Sequence, residues 1–137
     1  MRHTAIHFHL LIAPMTLLRR TFGALLLLAC TLGWAGPKPT FVFVKIADTV
    51  APLERGTKYE DPLNAVLKKA GLGEVTGGGS SLSAERKIEW VGVDIDLTDV
   101  PKGIALVKRT LRSLGAPQGT MLELEIDGKP VVIDIYQ

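Results

Sequence analysis

Two carboxylates, Asp94 and Asp96, alternate with apolar residues in the segment 90–99 (WVGVDIDLTD). This alternation predicts a β-strand that is buried on its valine and isoleucine side and solvated on its aspartate side. Residues two apart on a strand have Cα atoms about 6.6–6.8 Å apart on one face. Carboxylates at that spacing can act as acid and base on one bond, or share a Ca²⁺ ion.

Further charged residues are expected on the same sheet face. Lys45 lies on a segment predicted to pair beside the aspartate strand, and Glu123 and Glu125 alternate with leucines on another segment. A solvated face whose charges prevent pairing with other chains is the simpler interpretation of this pattern. We assign no catalytic residue and no metal ligand. The candidate binding residues are Asp94, Asp96, Lys45, Glu123 and Glu125.

The residue types available exclude several kinds of chemistry. All three histidines and the single cysteine, Cys30, lie upstream of Gly36. The remainder therefore lacks the residues for Ser-His-Asp or Cys-His catalysis, for a zinc site, and for the usual ligation of haem or Fe–S clusters. We expect no cofactor.

The N-terminal segment has the pattern of an export signal. Arg19 and Arg20 precede the apolar run 21–28 (TFGALLLL), and small residues then lead to Ala35, after which cleavage is expected. Met15 is an alternative start. The apolar run is shorter than the ~20 residues of a comfortable transmembrane helix.

Two variants of this signal stay open. Residues 27–30 (LLAC) resemble a bacterial lipobox, in which Cys30 would carry a lipid, and the pair Arg19-Arg20 suggests the twin-arginine route. We expect the protein in the periplasm or as an outer-membrane lipoprotein, and otherwise secreted. Membrane contact would occur only through the signal segment or a lipid on Cys30.

Net charge gives no support to nucleic-acid binding. The full chain has a formal charge of +2, but three of its arginines and none of its acids lie upstream of Gly36. The remainder carries about −1 and has no basic excess for a phosphate backbone.

The chain downstream of the signal divides into strands and helices by its periodicity and its turn residues. Asp61-Pro62 and Asp99 with Pro101 are expected to begin the two helices, and Leu122, Leu124 and Ile126 to face inward. The glycine-rich segment 73–83 is expected to be a short edge strand at 74–76 followed by a flexible hairpin loop. The full expectation is a linker at 36–40, a strand at 41–46, a loop at 48–58, a helix at 61–70, a strand at 88–97, a helix ending at 115–117, and strands at 120–126 and 131–136.

This order is β-α-β-β-α-β plus one C-terminal strand. It predicts a single α+β domain at 41–137 with a ferredoxin-like split βαβ topology, in which two helices cover one face of an antiparallel sheet. Residues 1–35 are expected to stay outside this domain.

Three motifs consist mostly of turns and helix caps: 59–63 (YEDPL), 70–79 (AGLGEVTGGG) and 114–120 (LGAPQGT). Together they resemble a small, uncharacterised bacterial protein family over residues 52–136. No activity is attached to that family, so the resemblance implies no catalytic or binding residue.

The sequence favours an exported, non-catalytic binding module of the bacterial cell envelope. Such a module would hold a protein partner with a basic surface, as an inhibitor or an immunity-type protein. The alternative is a carboxylate-dependent hydrolase of envelope polysaccharide that uses Asp94 and Asp96 as acid and base. A structural Ca²⁺ site on the same face is a third hypothesis.

Overall fold

The computed structural model describes Gly36 and residues 38–137. The predicted signal, its cleavage site, Met15 and Cys30 lie outside the described residues. The described part is an α+β structure with one five-stranded antiparallel sheet, in the strand order β2-β3-β1-β4-β5. Its elements are β1 (Thr40–Ile46), α1 (Pro52–Arg55), a π-helical turn (Gly56–Glu60), α2 (Asp61–Ala70), β2 (Gly73–Leu82), β3 (Ile88–Leu97), α3 (Val100–Ser113), β4 (Met121–Ile126) and β5 (Lys129–Asp134).

The predicted alternation of β1 and β3 is confirmed. Val42 and Val44 on β1 pair with Ile95 and Val93 on β3, and all four side chains are fully buried. Leucines of β4 and of the helices pack against the same side and complete one apolar core. Burial of each such side chain contributes roughly 1.5–3 kcal/mol to the free energy of folding, which offsets the conformational entropy that the chain loses.

Helix α3, the second of the two predicted helices, begins as predicted. The carboxylate of Asp99 accepts a hydrogen bond from the backbone N–H of Lys102 at 3.1 Å, which caps α3. One helical turn in, Gly103 lies against Leu97, and a Cβ at this position would come within 2.7 Å of the leucine side chain. The missing side chain therefore lets α3 approach β3 closely.

The helix predicted over residues 61–70 is present as α2, but the segment before it is not the predicted loop. Residues 48–58 were expected to form a loop with Asp61 as cap, but helical structure already starts at Pro52, and Asp61 has helical angles (φ −61°, ψ −48°). In a regular helix, the ring of Pro62 would collide with the carbonyl four residues earlier. The π-helical turn, in which the Asp61 N–H bonds to the Gly56 carbonyl, widens the helix at this point and accommodates the proline.

The glycine-rich segment is also not the predicted hairpin loop. Gly73–Leu82 forms a ten-residue strand that pairs with β3 along its length, with a bulge between Val75 and Gly77. A Cβ on Gly78 would lie 2.4 Å from Glu60 Oε1, 2.9 Å from the Gly92 carbonyl oxygen and 3.2 Å from Arg55 Nε. The glycine therefore lets this side-chain pair of the first helical segment pack directly on the strand backbone.

Ile126 was expected to face inward but is 44% exposed, because it ends β4 beside the turn into β5. Gly71, with φ +65°, ends α2 in the left-handed conformation that favours glycine.

A polar cluster holds the segment 47–51 against the first helix. The hydroxyl of Tyr59 donates to Asp48 Oδ2 at 2.6 Å, and Lys58 Nζ donates to the same oxygen at 2.8 Å. Burial, together with the Asp48 carboxylate, raises the pKa of Tyr59 to about 12. Burial alone would raise the pKa of Asp48, but hydrogen bonds from Lys58, Tyr59 and the Thr49 N–H outweigh it and lower that pKa below its ordinary 3.8.

Adjacent glycines provide a matched test of the packing on β2. Gly78→Ala should lower the free energy of unfolding by about 1–3 kcal/mol, because the new methyl group meets Arg55, Glu60 and a backbone oxygen. Gly79 has no atom within 4 Å of its Cβ position, so Gly79→Ala should change stability by less than about 1 kcal/mol. Urea unfolding measures both, and equal losses would contradict this account of β2.

The Asp48 cluster should make stability depend on pH. Asp48→Asn should lower the free energy of unfolding by about 1–2 kcal/mol at pH 7. Because the folded-state pKa is lowered, the stabilisation by Asp48 is fully present above the unfolded-state pKa of about 3.9 and is lost as the pH falls through the folded-state value. Urea unfolding of wild type and variant should therefore converge below about pH 4.

The exposed Asp61 offers a control for this titration, since Asp61→Asn should follow the wild type over the same pH range. A difference between wild type and Asp48→Asn that stays constant from pH 7 to pH 3 would contradict the role of the Asp48 carboxylate.

Candidate functional site

The sheet has one face that the described helices leave uncovered, which we call the open face. It consists of alternate residues of the strands, namely those whose neighbours along the chain point into the core. Its aromatic members are Phe41, Phe43 and Trp90, and Phe41 is 53% exposed. All five predicted binding residues belong to this face: Lys45 on β1, Asp94 and Asp96 on β3, and Glu123 and Glu125 on β4.

The strand register separates the aspartates from the glutamates. Phe43 pairs with Asp94 on one side and with Glu123 on the other, so β1 lies between the two acidic strands. Two strand spacings amount to about 10 Å, which is too far for carboxylates of β3 and β4 to share one small ion. The predicted residues therefore share a face without converging on one point.

The two aspartates differ in their surroundings. A Cβ on Gly77 would lie 3.0 Å from Asp94 Oδ2, so the Asp94 carboxylate rests over the bare backbone of β2. Asp96 borders an open depression of about 320 Å³ that also contains Lys68 and Glu74. Lys68 Nζ and Glu74 Oε2 form an exposed ion pair there at 3.2 Å.

The two glutamates border a separate depression, which we call the β1–β4 groove. It has a volume of about 460 Å³ and is open to solvent. Its lining consists of Thr40, Phe41, Phe43, Glu123, Leu124, Glu125 and Pro130. Phenylalanine side chains thus meet two exposed carboxylates in one concavity.

Lys45 forms no ion pair with the carboxylates of the described residues. It lies two residues after Phe43 on β1 and pairs with Gly92 and Met121. Its Nζ lies 5.1 Å from the centroid of the Trp90 ring. An ammonium at that distance makes a cation–π contact. Trp90 also meets Phe43 edge to face, with ring centroids 5.9 Å apart.

Gly92 makes this aromatic arrangement possible. A Cβ at this position would lie 2.6 Å from the Phe43 ring and 3.5 Å from the Trp90 ring. Because Gly92 has no side chain, the Phe43 ring can approach the backbone of β3 closely, and the two rings shield Gly92 so that it is buried within the open face.

The four predicted carboxylates of the open face, Asp94, Asp96, Glu123 and Glu125, have no cationic partners among the described residues. The ion pairs of residues 38–137 join Arg55 to Glu60, Lys58 to Asp48, Lys68 to Glu74 and Lys102 to Asp99. In the same part of the chain, no three His, Cys, Asp or Glu side chains are grouped closely enough to hold a metal ion. The face therefore presents unneutralised negative charge to solvent.

Sequence reasoning missed two features of this region. One is the groove lined by Phe41 and Phe43, which becomes apparent only once β4 is known to pair with β1. The cluster of Arg55, Glu60 and Ser80 was also missed: Arg55 bonds to Glu60 at 2.5 Å and to Ser80 at 3.0 Å. The sequence offers little indication of this cluster, because Arg55 and Glu60 come together only through the π-helical turn, which was not predicted.

None of the helices within residues 38–137 is both long and apolar enough to span a membrane. A scan against protein-family models, a search of curated proteins and a search of solved structures each found no match to this chain.

Proposed function

We propose that this protein is an exported, non-catalytic binding module of the bacterial cell envelope, which uses its open face to hold a protein partner with a basic surface. The observation that carries the proposal is the uncovered aromatic centre of the sheet, bordered by Asp94, Asp96, Glu123 and Glu125, none of which has a cationic partner in the described chain. The module would act as an inhibitor or an immunity-type protein through this surface.

Exposed apolar area supports the proposal. Phe41 is 53% exposed and Val132, on the edge strand β5, is 63% exposed. Exposed apolar patches with a polar rim are typical of protein interaction sites, and aromatic side chains dominate the binding energy of such surfaces.

The distribution of charge also supports it. Asp94, Asp96, Glu123 and Glu125 lie on the open face, where Lys45 is engaged with Trp90. Helix α3, which packs on the opposite side of the sheet, carries four basic residues: Lys102, Lys108, Arg109 and Arg112. This asymmetric distribution of charge would orient an approaching basic partner toward the open face and make association faster at low salt.

The topology fits a ferredoxin-like split βαβ unit with one added strand, which we propose as the fold. In support, the hairpin β2–β3 and the strands β1 and β4 alternate in the order β2-β3-β1-β4, and β5 extends that sheet at the β4 edge. We also retain the proposal that residues 1–35 direct export, with cleavage after Ala35 or a lipid on Cys30 as the two forms.

The alternative proposal is a carboxylate-dependent hydrolase of envelope polysaccharide. In its favour, Asp94 and Asp96 share one face at the spacing of a carboxylate pair. Turnover of cell-wall glycans that is lost in Asp96→Asn would favour the hydrolase over the binding module.

A capture experiment with a matched charge control tests the binding module. Tagged wild type, Asp94→Lys/Asp96→Lys and Glu54→Lys/Asp61→Lys serve as baits in envelope extract of the source bacterium. Both variants change the net charge equally, but Glu54 and Asp61 are exposed on the first helical segment, away from the open face.

Wild type and the helix variant should recover the same partner, and the open-face variant should recover about tenfold less. Recovery by the wild type should also fall as salt rises. Equal recovery by all three baits would contradict the proposal, provided that thermal unfolding shows each bait to be folded.

A further inference from the structure

We propose that the β1–β4 groove takes an arginine side chain of the protein partner. The inference rests on the proposed function and specifies which part of the open face provides recognition. The guanidinium would lie on the phenylalanine side chains and donate hydrogen bonds to Glu123 and Glu125.

The open face already contains one cation–π contact between its own side chains. Lys45 Nζ lies 5.1 Å from the centroid of Trp90, with Phe43 packed edge to face against that ring. The electronegative faces of aromatic rings attract cations, more strongly where water is partly excluded. Phe41 and Phe43 offer the same kind of surface in the groove, where no cationic side chain of the described residues occupies it.

The groove adds two carboxylates to this aromatic surface. Glu123 and Glu125 lie two residues apart on β4, both exposed, and neither is ion-paired within the described chain. Arginine suits this combination better than lysine, because its planar guanidinium stacks on aromatic rings and presents five donors in a fixed geometry to carboxylate oxygens.

Two further depressions among the described residues lack this combination of aromatic and acidic side chains. The one at Asp96 already contains Lys68, paired with Glu74 at 3.2 Å. The third lies at the end of the sheet between Val100, Pro101 and Ile126, and has no aromatic residue. The β1–β4 groove, with a volume of about 460 Å³, is the place among the three where aromatic and acidic groups meet.

NMR titration of the full chain with N-acetyl-arginine amide tests the inference. We expect saturable shifts of the Phe41 and Phe43 ring signals, with a dissociation constant on the order of 10 mM. N-acetyl-citrulline amide has nearly the same shape without the charge, and it should bind at least about fivefold more weakly.

Two double variants locate the site. Glu123→Gln/Glu125→Gln should weaken arginine binding at least about fivefold, because it removes the charged acceptors. Asp94→Asn/Asp96→Asn removes the same charge from the other side of β1. At physiological ionic strength, where the Debye length is about 8 Å, it should change binding by less than about twofold.

Equal binding of arginine and citrulline, equal loss in the two double variants, or shifts confined to residues outside the groove would each overturn the inference. If the arginine probe fails while capture of the partner still depends on the open face, the groove assignment is wrong and the binding module stands. If the probe binds as expected while capture is independent of the open face, the groove binds arginine but the proposed function is wrong.

Discussion

The pleat of β1 and β3 is the constraint on which both faces of the sheet depend. Because side chains alternate along a strand, a shift of β1 by one residue would turn Phe41 and Phe43 into the core and expose Val42 and Val44. The same shift of β3 would turn Asp94 into the core and expose Val93. Burial of Val42, Val44, Val93 and Ile95 contributes roughly 6–12 kcal/mol in sum, comparable with the whole stability of a domain this size. The apolar core therefore fixes which residues the open face presents.

Glycine determines how closely other elements approach this sheet. Gly78 lets the pair Arg55–Glu60 lie on the edge strand β2, Gly92 lets the Phe43 ring lie on β3, and Gly103 lets α3 lie on Leu97. These glycines belong to regular strands or helices, and their role is the absence of a side chain. The glycine-rich strand is thus compatible with regular structure because its neighbours fill the space that side chains would otherwise need.

Local patterns were sufficient to predict the strands with strict alternation and the capped helix α3. Asp99 needs only residues within its own helical turn to cap it, so the sequence reveals its role. By contrast, β2 was predicted only as a short edge strand at 74–76, and its continuation to Leu82 was missed because its glycines have low strand propensity and are held by pairing with β3. The start of the first helical segment was missed because a π-helical turn has no sequence signature that could separate it from a loop.

The candidate site follows the same division. A period of two assigns each charged residue to a face, so the presence of Lys45, Asp94, Asp96, Glu123 and Glu125 on one face was predictable. Their distances were not, because these depend on which strands are neighbours and on where long side chains turn. The contact of Lys45 with Trp90 and the groove beside Phe41 arise from that tertiary arrangement.

The central claim is that the aromatic centre of the sheet is accessible to a partner in the intact protein. Hydroxyl-radical footprinting of the full chain, read out by mass spectrometry, measures this directly for single residues. Phe41, which is 53% exposed, should be oxidised at a rate close to that of the same residue in the urea-unfolded chain, whereas the fully buried Tyr59 should be strongly protected. Protection of Phe41 equal to that of Tyr59 would show that the face is covered and would contradict the account.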